Sequence, residues 1–391
     1  MTTASPLKYQ LSDIDYDERE VEAVAEVIRG KWLSLGPKTA EFEQSLAEFL
    51  GAKHAVAVSS CTAALHLAML ALKLAPGDEV LVPSYTFVAT ANAITYVGAK
   101  PVFVDITGPD DLNLDPDDVE AKITPRTKAI VPVHLAGFPA DMDRIMAIAK
   151  EYDLAVIEDA CHAIGGRYAG VAGEGSMVAM VGTRGNASCF SFFANKSLVT
   201  GEGGMFVTND DEIAAAVRLA RSHGMTKSSW DKASGRATDY DVREVGYNYR
   251  CTELTSALGL VQLGKLPAAI QRRRALAARY HARLGGAEGL SLPFAPRFDR
   301  SSHYLFPVLV ADASDRDAFR QRLLSRGIQT SVHYPPVHCF SHYREACPDA
   351  TGLTRTVDAS RREATLPLHP LLDENDIDAI SDAVLCEIGA L

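Results

Sequence analysis

The sequence predicts an α/β fold: a large α/β domain on a mostly parallel sheet, followed by a smaller α+β domain. Three observations carry this. Between His54 and Ile157, short and almost wholly apolar runs alternate with helical stretches, as a parallel sheet covered on both faces requires. Beyond residue 265 that alternation gives way to longer helices broken by isolated strands. The length of 391 residues, 47% hydrophobic and 23% charged, suits a globular chain of two domains. The boundary is placed near 265, giving a large domain over 1–265, with an N-terminal arm over its first 50 or so residues, and a small domain over 266–391.

Taken in order, Val21, Val24, Val27 and Ile28 predict a helix over 13–29 with an acidic first turn, ended by Gly30. Trp32 lies in the loop that follows; it packs on a neighbouring domain or meets a ligand or a second subunit. A second amphipathic helix runs on Phe42, Leu46, Phe49 and Leu50. Strands are then expected at 54–58, 79–82, 101–106, 129–133 and 154–157, with helices at 61–74, 87–97, 117–123 and 142–152 between them. Cys189 to Phe193 reads as a buried strand, and Met205 to Thr208 as a second that can pair with it. After a helix at 212–222 comes a long polar stretch, 223–249, of the kind that is usually functional. A helix at 253–266 is expected to stop before Pro267, which starts another over 268–284 with Arg272, Arg273 and Arg274 on a solvated face. Strands at 303–310 and 328–333 and helices at 316–325 and 376–388 complete the chain.

A formal charge of -11 argues against nucleic acid or an anionic membrane as the main partner, and the N-terminus has neither the basic nor the apolar region of a signal peptide. The localisation expected is cytoplasmic. Seven scattered cysteines without C-x-x-C spacing suggest buried free thiols, and no metal site is expected from the dispersed histidines.

Chemistry is expected at the carboxyl ends of the strands, where ligands bind in open α/β sheets. Ser59-Ser60-Cys61-Thr62 opens a helix, so its hydroxyls and free N–H groups cap that helix or cradle a phosphate. Tyr85 and Phe87 close the core at a second strand end or stack on a planar ligand. Glu158-Asp159-Ala160-Cys161-His162 delivers two acids and a histidine to a third, and strand alternation lets one acid face a pocket. Ser191 and Lys196 stand at the fourth. A lysine there either snorkels to the surface or is an amine whose pKa desolvation lowers, as Schiff-base chemistry requires. Pyridoxal phosphate needs a lysine, an acid for the ring nitrogen, a phosphate cradle and an aromatic against the ring, and these strand ends offer all of them.

Six segments in order strengthen this reading: 61–106 (CTAALHLAML through KPVFVDI), KAIVPVHLAGFPADMDRI, VIEDACHAIGG, FSFFANKSLVTGEGGMFVTND, GYNYRCTELTSALGLVQLGKL and TSVHYPPVH. Together they resemble the DegT/DnrJ/EryC1/StrS sugar aminotransferases, which have the fold type I architecture of pyridoxal phosphate enzymes. The resemblance implies that Lys196 binds the cofactor covalently and then moves the proton, and that Asp159 partners the pyridine nitrogen while Glu158 points elsewhere. It implies Phe87 stacked on the ring and His162 near the other ring face or the phenolic oxygen. Cys61 (through its backbone), Thr62 and Ser191 would hold the phosphate, and Asn248 would reach it from the partner of a homodimer. Family members often carry Gly where this chain has Cys61, a difference that matters if a positive φ is needed there. Related sugar 3-dehydratases have His in place of Lys196, so dehydration is disfavoured.

The implied function is amination of a keto sugar, carried on a nucleoside diphosphate, with L-glutamate as donor. The alternatives are a keto-cyclitol acceptor and a non-catalytic partner or regulator. Tyr85, His223, Arg250, His333 and Tyr334 are candidate substrate contacts, with Lys227 and Arg243 as further candidates for the diphosphate.

Overall fold

Asp17 fixes where the first helix starts. Its carboxylate accepts from the backbone N–H of Arg19, and Glu20 reaches back to the Asp17 N–H, closing a capping box, so α1 spans Glu18–Gly30 and not 13–29. The computed structural model describes residues 7–168 and 179–389. Pro37 sits in the first turn of α2 (Pro37–Leu50), whose Phe42, Leu46 and Leu50 are buried.

The elements of the central layer follow as β1 (His54–Val58), α3 (Cys61–Ala71), β2 (Glu79–Pro83), α4 (Val88–Tyr96) and β3 (Lys100–Val104). A small hairpin, β4 (Ile106–Gly108) with β5 (Asp111–Leu114), comes next, then α5 (Pro116–Ala121), β6 (Thr127–Ile130), α6 (Met142–Glu151) and β7 (Ala155–Asp159). β8 (Ala187–Ser191), β9 (Gly204–Thr208) and α7 (Asp211–Ala220) complete it. The seven strands lie in the order β1-β9-β8-β7-β6-β2-β3. All neighbours are parallel except those of β9, which runs antiparallel to both β8 and β1. The mostly parallel α/β sheet expected from the sequence is therefore present.

Strand alternation divides the core in two. Val156, Ile130, Leu81 and Val207 belong to one buried cluster, with Phe42, Leu46 and Leu266 from the helices above it. Their neighbours Ile157, Val131, Val82 and Phe206 belong to the other, with Leu65 and Met69 of α3.

The stretch 223–249 holds one short helix, α8 (Ser229–Ala233), and is otherwise irregular. Trp32 meets Trp230 of that stretch, ring centroids 5.0 Å apart. The expected break at Pro267 does not occur. α9 is a single helix, Glu253–Leu284, that carries Pro267 in its interior. Proline removes one helical donor there, at a cost of ~3 kcal/mol. Leu263, Leu266 and Ile270 bury into the first of the two sheet clusters, and Leu276, Tyr280 and Leu284 into a third, C-terminal cluster, so packing on both sides of the proline outweighs that loss. Residue 265 thus lies inside a helix that joins two cores. Arg273 is also corrected: it is buried, 3% exposed, with its guanidinium on the carbonyls of Leu368 (2.6 Å) and Tyr304 (3.3 Å). Burial lowers its pKa to about 10.

The C-terminal layer has β10 (Leu290–Ser291), β11 (Phe306–Val310), α10 (Arg316–Ser325), α11 (Ser341–Ala346), α12 (Thr354–Arg362), β12 (Glu363–Leu366) and α13 (Glu374–Ile388). Its three strands are ordered β10-β11-β12. The strand expected at 328–333 is reduced to two isolated bridges, Tyr9 to Ile328 and Ser331 to Thr365. The ladder stops because the next free donor, the His333 N–H, goes to the Glu363 side chain at 2.8 Å. β12 itself was not expected: it is four residues long, although all four are buried.

Candidate active site

A cavity of about 570 Å³ opens at the carboxyl ends of the parallel strands. Cys61, Thr62, Phe87, Asp159, Ser191, Lys196, His333 and Tyr334 line it, so eight of the residues singled out from sequence meet there. Ser331 to Pro335 and Phe340 come from the C-terminal part of the chain and the rest from the central sheet and its loops.

Ser60 starts the helix that borders the cavity. It is the N-cap of α3, and its hydroxyl accepts from the Ala63 N–H at 3.1 Å. The N–H groups of Cys61 and Thr62, at the first two helical positions, have no partner within the helix, which leaves donors for an anion. Cys61 is not among the described residues with positive φ, so the side chain in place of Gly costs the turn nothing. Gly204 is the glycine this corner needs: a Cβ there would lie 2.5 Å from the Cys61 nitrogen and 2.4 Å from the Ser60 carbonyl carbon.

Asp159 ends β7 with its carboxylate fixed from two sides, by the Thr90 hydroxyl at 2.8 Å and the Cys161 N–H at 3.2 Å. Glu158 projects away from the cavity. It is fully buried and accepts from His134 Nε2 (2.9 Å), the Tyr168 hydroxyl and the N–H groups of Gly182, Arg184 and Gly185. Burial opposes its charge, yet those donors hold its pKa below the ordinary glutamate value.

Lys196 follows β8 in a turn closed by its own N–H on the Phe193 carbonyl, and its Nζ lies 4.6 Å from the centroid of the Tyr304 ring. The Tyr304 hydroxyl donates to Asn195 at 3.2 Å. The desolvated amine expected from sequence is corrected in one respect. Burial does work against the charge, but Tyr304, Cys161 and Asp159 more than offset it and raise the lysine above its ordinary value.

Not every expected residue reaches the cavity. His162 stands behind its wall, with Nε2 paired to the Tyr334 hydroxyl at 2.9 Å and Nδ1 accepting from the Ala136 N–H at 3.3 Å. Burial, then Lys196 and His333, push its pKa well down, so it is a neutral ring supporting Tyr334. Tyr85 is 1% exposed and packs in a core cluster with Leu135, Phe138, Phe294 and Leu309, outside the cavity lining. His223, Lys227, Arg243 and Asn248 are exposed on or beside the 223–249 stretch, and Arg250 lines a separate shallow depression with Ser34 and Lys227. None of these five lines the cavity that holds Lys196.

Thr90, Asn195 and Tyr304 were not singled out from the sequence. Thr90 and Tyr304 lie in stretches whose pattern reads as helix and strand, and nothing local marks them as partners of Asp159 and Lys196.

A lysine and a buried, hydrogen-bonded carboxylate facing one cavity, beside a helix N-terminus with free donors, define a pyridoxal phosphate-dependent enzyme of the fold type I class. Comparison with known proteins gives the family. Residues 14–385 match the DegT/DnrJ/EryC1/StrS aminotransferase family, and the chain belongs to it. The spore coat polysaccharide biosynthesis protein SpsC of Bacillus subtilis is 40% identical over 374 residues, covering 94% of each chain. Among solved structures, Helicobacter pylori PseC, an aminotransferase involved in pseudoaminic acid biosynthesis, superposes with a TM-score of 0.89 at 32% identity, covering 98% of this chain and 100% of that one. Spr1654 of Streptococcus pneumoniae in its PLP-form gives 0.89 at 30% identity, covering 99% of each. The protein is a pyridoxal phosphate-dependent aminotransferase of a sugar aminotransferase family.

Proposed function

We propose that the enzyme aminates the ketone of a nucleoside diphosphate-linked sugar, with L-glutamate as the amino donor. The observation behind this reading is the cavity that places Lys196 beside a wall from the C-terminal layer, in a chain of a sugar aminotransferase family.

Bound pyridoxal phosphate supplies an electron sink that lets a Cα proton leave. The chain's residues do the rest. Thr62, Ser191 and the Cys61 N–H would hold the phosphate at the start of α3. Phe87, 54% exposed at the cavity rim, presents a ring face for stacking. Asp159, oriented by Thr90 and Cys161, would hold the proton on the ring nitrogen. Lys196 Nζ would be the group that accepts the proton leaving the amino donor and returns one to the sugar carbon. His333 and Tyr334 face the sugar.

A homodimer completes the site in this reading. Asn248 is exposed, as are Tyr240, Val242 and Val245 on the same stretch, with Val245 90% exposed. Those exposed apolar side chains suit a partner subunit, where Asn248 would reach the phosphate and His223, Lys227, Arg243 and Arg250 the diphosphate. The protein would work in the cytoplasm, its large (1–265) and small (266–391) domains hinged along α9.

The test is a half-reaction. The aminated cofactor form is mixed with keto sugars, free and nucleotide-linked, and with keto-cyclitols, and return of the aldehyde-form absorbance is followed. Turnover of nucleotide-linked keto sugars at least tenfold faster than of the others is expected; preference for a keto-cyclitol would replace this reading.

A further inference from the structure

Glu363 is an anomaly that the mechanism above does not use. It is a fully buried carboxyl on β12, and among the described residues no arginine or lysine is bonded to it. Oε2 accepts the His333 N–H at 2.8 Å, and Oε1 is 2.5 Å from the Thr365 hydroxyl. That hydroxyl is in turn 2.8 Å from His333 Nδ1. His333 lines the active-site cavity, and its hydrogen bonds among the described residues run through the backbone N–H and Nδ1, none through Nε2. A continuous chain therefore runs from a buried carboxyl to a ring nitrogen at the cavity.

We propose that Glu363, Thr365 and His333 form a reversible proton relay that sets whether His333 offers the substrate a hydrogen-bond donor or an acceptor at Nε2. The substrate role of His333 rests on the functional reading above; the relay itself does not. With Glu363 ionised, the Thr365 hydroxyl donates to Oε1, so its oxygen must accept from His333 Nδ1–H, and Nε2 is a bare acceptor. Uptake of one proton reverses every link. A proton from cavity water bonds to Nε2, the Nδ1 proton passes to the Thr365 oxygen, and the Thr365 proton passes to Oε1. The carboxyl is then neutral and donates to Thr365, which donates to Nδ1, and Nε2–H faces the cavity. The imidazole is neutral before and after, and one proton has moved from the cavity to Glu363.

The surroundings of the carboxyl favour such a titration. Arg316 and Arg320 of α10 face it, but their guanidinium groups are engaged by the carbonyls of Ser360 and Thr330 and by Asp317. β11 places apolar Leu309 opposite it, and the Tyr85 and Tyr334 phenols are its other titratable neighbours. Burial outweighs the bonds from Thr365 and His333 and the two arginines, raising Glu363 to about 8, while burial lowers His333 to about 4. The carboxyl thus changes state near neutrality and the imidazole does not become a cation there. In the low-pH state Nε2–H binds an oxygen that only accepts, such as a carbonyl or phosphate oxygen.

The experiment is nitrogen NMR on the holoenzyme labelled with 15N-histidine, with His333→Asn used to assign the resonance. His333 Nε2 should shift from the protonated to the unprotonated type as pH rises through about 8, while Glu363→Gln holds the protonated type throughout. In parallel, KM for the amino acceptor should rise about threefold to tenfold across the transition in the wild type but stay flat in Glu363→Gln. A fixed His333 tautomer, or a Glu363→Gln variant titrating like the wild type, overturns the relay. A switching tautomer in an enzyme that aminates no keto sugar supports the relay and overturns the substrate reading instead.

Discussion

The Thr90 hydroxyl donates to the inner carboxylate oxygen of Asp159 across 2.8 Å, in a site where Asp159 is only 3% exposed. The second oxygen takes the Cys161 N–H. The carboxylate is therefore held in one orientation by these two donors. Thr90→Val removes a buried hydrogen bond to a carboxylate, of about 1.5 to 3 kcal/mol, and should lower kcat about tenfold or more along with a stability loss of that order. Asp159→Asn should retain cofactor and lose about 10²- to 10³-fold in kcat, because the developing charge loses its counterpart. Steady-state rates at saturating substrate check both, and near wild-type kcat in Asp159→Asn would contradict the assigned role.

Lys196 gives a spectroscopic prediction. No other lysine lines the described cavity. Lys196→Ala should bind pyridoxal phosphate only through the phosphate cradle and stacking, lose the absorbance of the lysine-linked cofactor, and turn over at no measurable rate. An unchanged visible spectrum would show that the covalent link lies elsewhere.

Much of this site was legible in the sequence because its parts are local. Apolar runs of four or five residues mark where strands end, and Asp159, Ser191 and Lys196 stand at or just after such ends. The supporting contacts were not legible, since each joins distant segments: Thr90 is 69 residues from Asp159, and Tyr304 is 109 from Asn195. Pro267 misled for the opposite reason. Its local rule is sound, but burial on both sides of the proline overrides it. His162 and Tyr85 illustrate a third limit, in that strand-end position places a residue near a site without saying whether it forms the wall or stands behind it.

The exposed position of Asn248 leads to a test of shared sites. If Asn248 serves the partner's phosphate, then Asn248→Ala and Lys196→Ala each inactivate a different half of one composite site. Mixing the two inactive variants, under conditions that exchange subunits, should restore measurable activity through hybrid dimers with one intact site. A mixture as inactive as its parents would mean that each chain carries a complete site, as would a fully active monomer.

Glu363 makes a stability prediction that needs no substrate. Its folded-state pKa is raised from 4.5 to about 8, so the native state binds this proton more tightly than the unfolded chain does. The associated stability is fully present below about pH 4.5 and is lost progressively as pH rises to about 8, where the buried carboxyl must carry charge. The loss is on the order of 3 to 5 kcal/mol, at about 1.4 kcal/mol per unit. Glutamine at 363 keeps the shape and stays neutral. Glu363→Gln should therefore gain on the wild type as pH rises, with similar urea midpoints at about pH 5 and a clearly higher midpoint for the variant at about pH 9. Other groups titrate equally in both proteins and cancel from the difference. If the two midpoints differ by the same amount at both pH values, Glu363 titrates alike folded and unfolded, and its burial imposes no charge penalty.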